Sequence, residues 1–578
     1  MSALTLPSKK AALGFALLVA TLLLLPALRD HNPKLQNTPG PGSENLAYAF
    51  DTNIGNETVP LYNSTHVDTP YIQEYSMPNG TWPNGIFVDR SGIVWTVGTK
   101  SHSLLSFDPK EGKITASYLI PSEGKKSTAQ YNGSSSGQIG VTMAWTIVQD
   151  KKGSIWFSQA DSPNPLWRFD PTTKKFLSIH SVSAAPYQMK VDNTTGNIWY
   201  TTFTNNKLGV IQEISNKTTL TTNNNNNSRS PASQYNVTEF DLGTESFPSG
   251  LYLHKDSVWV TQSLNDKLVQ FKIVRDLNGR VINVLKTMEI PSPEKSSNSQ
   301  SIFDSPYDIV VLGSNVWVTE HDINFLTRYD INSKSITKFA TSSNPHQYVT
   351  LPFWLREGVG GGLWFNEHYG NRMAFFNTTG MTLTEYEIPT RDPNLGYITN
   401  ALNFAVDPTD NRDIWFSEYN HDKIGVVKSR VSIPFDIHSS INKVLLLKPS
   451  SGIRGKGINA AASSSTVISF KISKDTSSTN NYTGNSSGSS LSFTKNNKNS
   501  HEIVYFKTSS SMTHYGVLNF SANFSRNYID LSEMKDRTAQ VQLSILNDYK
   551  ISPGNYTLGI SATDGRVTKS IYPDLIVK

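Results

Sequence analysis

The chain of 578 residues contains no cysteine. A disulfide framework, a thiolate metal site and a cysteine nucleophile are all excluded. Charge of one sign is also scarce: 52 Lys and Arg stand against 47 Asp and Glu, a net charge of +5 without clustering. That is not the basic footprint of a nucleic-acid binder, and no nucleic-acid partner is expected. No H-E-x-x-H occurs, so a zincin helix is excluded. The stretch Gly358 to Gly362 is glycine-rich, but no Lys-Ser/Thr follows and no helix opens there. It reads as a hairpin, not a phosphate loop.

What the chain has is a repeat. Val94-Trp95-Thr96-Val97, Ile155-Trp156-Phe157-Ser158 and Ile198-Trp199-Tyr200-Thr201 read as one short buried strand written three times. Val258-Trp259-Val260-Thr261, Val316-Trp317-Val318-Thr319, Leu363-Trp364-Phe365-Asn366 and Ile414-Trp415-Phe416-Ser417 complete seven copies. A polar turn follows in most of them, as in Asn205-Asn206-Lys207-Leu208, Asn265-Asp266-Lys267-Leu268 and His421-Asp422-Lys423-Ile424. Asn, Asp and Gly supply the positive φ that tight hairpins need. In the sixth copy, strands are expected over Gln347 to Leu355, Leu363 to Asn366, Arg372 to Asn377 and Thr382 to Ile388. Four strands without an intervening helix make one antiparallel blade, and seven blades make a β-propeller. The repeated Trp is expected to wedge between blades. The seventh copy lacks a clear last strand, and Tyr71 to Pro78 is a spare one that can close the ring and remove an exposed edge. Val431 to Ile437 is the alternative. Residues 122–137, 221–230 and 291–300 read as surface loops.

Lys9-Lys10 precede an apolar run from Ala11 to Leu28. As a helix it rises about 27 Å, enough to cross a bilayer core. A basic N-terminal flank places that end in the cytoplasm and the remainder outside. The expectation is a retained signal anchor, with a cleaved signal peptide and secretion as the alternative. Asn-x-Ser/Thr triplets recur from Asn56 to Asn555, which an exported chain presents as glycosylation acceptors.

After about residue 440 the Trp repeat stops, and strand-like runs continue to Val577. Ser552-Pro553-Gly554-Asn555-Tyr556 looks like the turn and late strand of an immunoglobulin-like sandwich. The expected organisation is all-β: a cytoplasmic tail (1–10), one transmembrane helix (11–28), a linker (29–69), a seven-bladed β-propeller (70–435) and a C-terminal β-sandwich (440–578).

The residue closing the second strand of each blade reads Gln159, Thr202, Gln262, Glu320, Glu367 and Glu418 from the second copy onward. The last three blades are the acidic ones. If these side chains face a wet channel, Glu320, Glu367 and Glu418 with His346 suit a hard divalent ion such as Mg²⁺, or acid–base work. His321 and His368 directly follow two of these acids, and in a continuing strand they point to the opposite face. His421 falls in a turn and is expected to be exposed.

Val88-Asp89-Arg90-Ser91-Gly92-Ile93-Val94-Trp95, Phe107-Asp108-Pro109-Lys110-Glu111-Gly112-Lys113-Ile114 and Ile414 to Gly425 resemble the streptogramin lyase family over about residues 70 to 430. The resemblance implies a seven-bladed propeller and Mg²⁺-assisted elimination that opens a cyclic depsipeptide at its ester. It implies catalytic roles for His346 and Glu367. Where it implies a further carboxylate stands Asn344, and where it implies a second imidazole stands Tyr307 after Pro306. The function expected is therefore a membrane-anchored cell-surface binding or interaction module, a monomer whose partner is a small molecule or an envelope protein. A lyase acting on a depsipeptide or lactone is the alternative, and a structural envelope component a third.

Overall fold

The computed structural model describes residues 65–121, 143–160, 165–214, 235–290, 303–344, 349–409, 412–439, 441–446, 465–474, 503–511, 521–546 and 552–578. The expected transmembrane helix, His346 and the three expected loops lie outside these, the loops wholly or nearly so. Among the described residues no helix is long and apolar enough to cross a membrane.

The chain is all-β and propeller-like. Seven sheets each contain a run of four antiparallel strands, and each sequence copy forms one of them. The seven repeated Trp side chains are all buried. They pack across blade boundaries: Trp95 lies 6.0 Å from Phe169, Trp317 5.3 Å from Phe376 and Trp415 5.7 Å from Phe107. An Asp in the first hairpin holds both the turn and the indole. Asp89 accepts from Ser91 N and Ile93 N, and its other oxygen accepts from Trp95 Nε1 at 2.8 Å. Asp150 does the same for Trp156. The polar turns use positive φ as expected, at Asn206 (55°), Asp266 (51°), Asn371 (56°) and Asp422 (48°).

Ring closure is the one expected from the spare strand. Ile72–Ser76 pairs antiparallel with Lys423–Lys428 as the outer strand of blade seven. Asp422 then bonds Gly80 N and Trp82 N, each at 2.7 Å, which fastens blade seven to the entry of blade one. The alternative closing segment goes elsewhere: Phe435–Ser439 pairs with Ser465–Lys474.

The first strand of blade six starts later than expected, at Pro352 rather than Gln347. Leu351 has φ 49°, which turns the chain out of the extended region just before pairing begins. Trp82, Phe247 and Ser305 precede the prolines of three other first strands with the same positive φ.

The C-terminal part forms two facing sheets around Phe470, Val541, Leu543, Phe506, Ile560 and their neighbours. One of them continues blade six. Val567–Ile571 pairs with Thr382–Glu387, the outer strand of that blade. Tyr572 donates to Ala340 O at 2.6 Å and Lys507 Nζ reaches Ser343 O at 3.3 Å. The outer edge of blade six is therefore covered by the chain's own C-terminal sheet.

Candidate functional site

The three acids sit where the repeat puts them, at the ends of Asn315–Glu320, Leu363–Glu367 and Asp413–Glu418. All three are 0% exposed. They do not line a wet channel; each turns into its own blade and finds different company.

Glu320 is satisfied. Lys338 Nζ, on the outer strand of blade five, donates to Oε2 at 2.9 Å, Asp304 N donates to the same oxygen at 2.8 Å, and Thr327 Oγ1 donates to Oε1. Burial raises its pKa, and Lys338 opposes the shift.

Glu367 meets two more acids and a guanidinium. Arg372 donates to Glu387 at 2.6 Å and lies 3.5 Å from Glu385 and 3.8 Å from Glu367, while Arg391 holds the other Glu387 oxygen at 2.8 Å. Neither oxygen of Glu367 receives a hydrogen bond from a described residue. Glu385, the charge that acts on it most strongly, is itself an acceptor when ionised, so the two share a bond only if one keeps its proton. Burial, then Glu385, hold the pKa of Glu367 well above the carboxylate range. Glu418 repeats this in blade seven. Burial, then Glu74, push its pKa well up, while Lys423 and Thr390 bond Glu74 instead.

The acids do not converge. Among the described residues no group of three or more His, Asp or Glu is arranged to hold a metal ion.

His321 and His368 leave the acids, as adjacent strand residues should. Their rings stack on each other at 5.2 Å, and Tyr307 stacks on His321 at 4.7 Å. Burial and the neighbouring His321 ring push the pKa of His368 well below that of a free imidazole, so it is neutral here. His421 is half-buried rather than exposed, with Asp392 at 3.4 Å.

The axis of the ring holds a different set of residues, identified by contacts between blades that are not neighbours. Gln188 of blade three donates to Asp308 of blade five at 2.9 Å, and Asn403 of blade seven donates to Trp145 O of blade two at 2.8 Å. Tyr187 lies 5.0 Å from Trp145, 6.0 Å from Tyr307 and 5.5 Å from Trp354. Beside them is a cavity of about 410 Å³ lined from the first strands of all seven blades.

That cavity is charged. Asp308, fully buried, accepts from Gln188 Nε2, Ile309 N, Leu355 N and Arg356 Nη1, the last at 2.6 Å. Arg356 packs its guanidinium against Trp354 (5.4 Å) and Phe404 (5.5 Å). Lys190 is half-buried beside it. Loss of water, then repulsion from Arg356, lower its pKa to about 7, with Asp308 and Glu357 opposing. Sequence reasoning missed Gln188, Lys190, Asp308 and Arg356. The available signal was charge on a first strand: the positions matching Lys190 and Arg356 are Phe87, Val148, Tyr252, Val310 and Ala405 in the other copies.

No family model matches this chain, and no curated protein does. Among solved structures it is similar to a streptogramin B lyase, at 19% identity and a TM-score of 0.44, over 62% of this chain and 97% of the other. It is similar to a catalytically inactive virginiamycin B lyase from Staphylococcus aureus with quinupristin, at 22% identity and a TM-score of 0.43, over 61% of this chain and 98% of the other. A hydrazine synthase from Kuenenia stuttgartiensis matches at 11% identity and a TM-score of 0.40, over 64% of this chain and 99% of that one.

Proposed function

We propose that this chain is an extracytoplasmic binding module, tethered through residues 11–28, whose hub cavity takes a small molecule. One observation carries the reading: the hub holds a partly open cavity of about 410 Å³ walled by aromatic, polar and charged side chains of the first strands. Such concave, partly apolar spaces with a few placed polar groups are the usual small-molecule sites. Export is supported by the exposure of the triplet residues Asn79, Asn193, Asn236, Asn377, Asn523 and Asn555. The C-terminal sheets, fixed to blade six, are a rigid surface for an envelope partner.

Elimination through Glu367 and Mg²⁺ is the lesser reading. A carboxyl that is 0% exposed, beside Glu385 and Arg372, presents no oxygen to a substrate or to a hydrated ion. Two measurements separate the readings. The purified full chain is incubated with a streptogramin B depsipeptide and millimolar Mg²⁺ and followed by chromatography. The ring is expected to survive; opening that Glu367→Gln abolishes would establish the lyase. A small-molecule library is then screened by thermal shift against wild type and Ala405→Trp, which fills the cavity. Stabilising compounds are expected to lose their effect in the variant. If they act equally on both, the hub is not the site.

A further inference from the structure

We infer that the hub cavity binds a small organic acid with a flat apolar body, its carboxylate held between the Lys190 ammonium and the Arg356 guanidinium. The inference rests on the hub-binding reading and adds the chemical class of the ligand.

The argument is an account of which charges are already used. Asp308 is fully committed: each of its oxygens accepts two donors, and one donor is Arg356. This fixes Arg356 from one side, while Trp354 and Phe404 confine its plane. A guanidinium so clamped loses little freedom on meeting a ligand, which is the condition for a preorganised carboxylate site. Glu357 is exposed at the wall and already accepts the Tyr252 hydroxyl. Lys190 has no such partner. No ion pair or hydrogen bond joins its ammonium to a described residue. A cation held next to a second cation, with the nearby carboxylates occupied, is the group an incoming anion would neutralise.

Phe87, Val148, Val310 and Ala405, contributed by four other blades, give the wall apolar patches beside the polar Thr146, Gln149, Gln188 and Asn403. The apolar patches suit a planar hydrocarbon body. The ligand class is thus an organic acid with an aromatic or fused-ring body.

Binding should also draw a proton. The charged groups acting on Lys190 are Arg356, Asp308 and Glu357, Tyr252 shares the cavity wall, and loss of water lowers the Lys190 pKa to about 7. A bound carboxylate favours the ammonium, so above that pH complex formation takes up protons.

The test is calorimetry on the full chain with 2-naphthoate and its neutral isostere 2-naphthamide. The acid is expected to bind at least about tenfold tighter than the amide. Lys190→Met should remove that preference while leaving the amide unchanged. Arg356 is unsuitable for this substitution because Asp308 would be left buried without its cation. If Lys190→Met does not fold, wild type alone decides: affinity for the acid falls as pH rises past about 7, affinity for the amide does not, and at about pH 8 the heats in two buffers report proton uptake. Equal binding of acid and amide, no binding of either, or an acid affinity indifferent to Lys190 and to pH overturns the inference. Library compounds that bind wild type and fail in Ala405→Trp would still support the hub while the acid assignment falls.

Discussion

Blades five and six place a glutamate at the same point of the same strand, and the two side chains live in opposite circumstances. Glu320 has a cation and two further donors; Glu367 has two competing acids and an arginine already bonded elsewhere. Both are wholly buried, so burial alone does not distinguish them. The difference arises on the outer strand. In blade five that strand brings Lys338, whose side chain is 18% exposed. In blade six it brings Glu385 and Glu387, and Val567–Ile571 lies over it as a further strand. Glu385 and Glu387 are buried there, and the second has its backbone N bonded to Arg566 O of the C-terminal sheet. A repeat thus sets where a polar residue goes, and the neighbour of each blade sets what that residue becomes.

The largest effect should come from Arg372→Met. It leaves Glu367, Glu385 and Glu387 with Arg391 as the one remaining guanidinium, and breaking a buried pair in this way costs about 3–5 kcal/mol. Urea unfolding of the full chain measures it. A loss below about 1 kcal/mol would mean that the carboxyls of blade six are already neutral, and that the contrast with blade five is one of protonation rather than pairing. Glu320→Gln comes next, at about 2–3 kcal/mol, because the amide still accepts from Thr327 and Lys338 can turn toward solvent. If Glu320→Gln proved the more damaging of the two, the satisfied acid and not the crowded one would be the keystone of this sector.

How much of this the sequence discloses depends on distance along the chain. The indole repeat, the Asn and Asp turns and the closing strand are local signals, and Trp95, Asp266 and Ile72–Ser76 take up the roles assigned to them. The acids stand on their expected strands but turn into the blades rather than toward a wet channel. A strand end fixes a position, whereas the direction of Glu367 depends on Arg372 and Glu387, which meet only in the paired register. The hub was illegible for a related reason. Lys190, Asp308 and Arg356 stand in three different copies, each an exception to its own repeat, and only the closed ring brings them together. The docking of Thr382–Glu387 on Val567–Ile571 runs through backbone hydrogen bonds, which leave no mark on side-chain pattern.

The smallest effect is the most diagnostic, because it changes sign with the mechanism. Glu367 has a raised pKa in the folded chain and an ordinary one, 4.5, when unfolded. Below pH 4.5 both states hold the proton and the site costs nothing. As pH rises from there toward the folded value, the unfolded chain releases the proton and the folded chain keeps it, so stability falls with pH across that window. Glu367→Gln carries no such proton and gives Glu385 a permanent amide donor. The variant should therefore match wild type below pH 4.5 and exceed it by about 1 kcal/mol at about pH 8. Glu320→Gln, measured in the same titration, should remain destabilised at about pH 8, because what it loses there is an ion pair and not a penalty. Were both variants to weaken the protein at about pH 8, Glu367 would have to be ionised and paired, and the two blades would differ in geometry but not in charge.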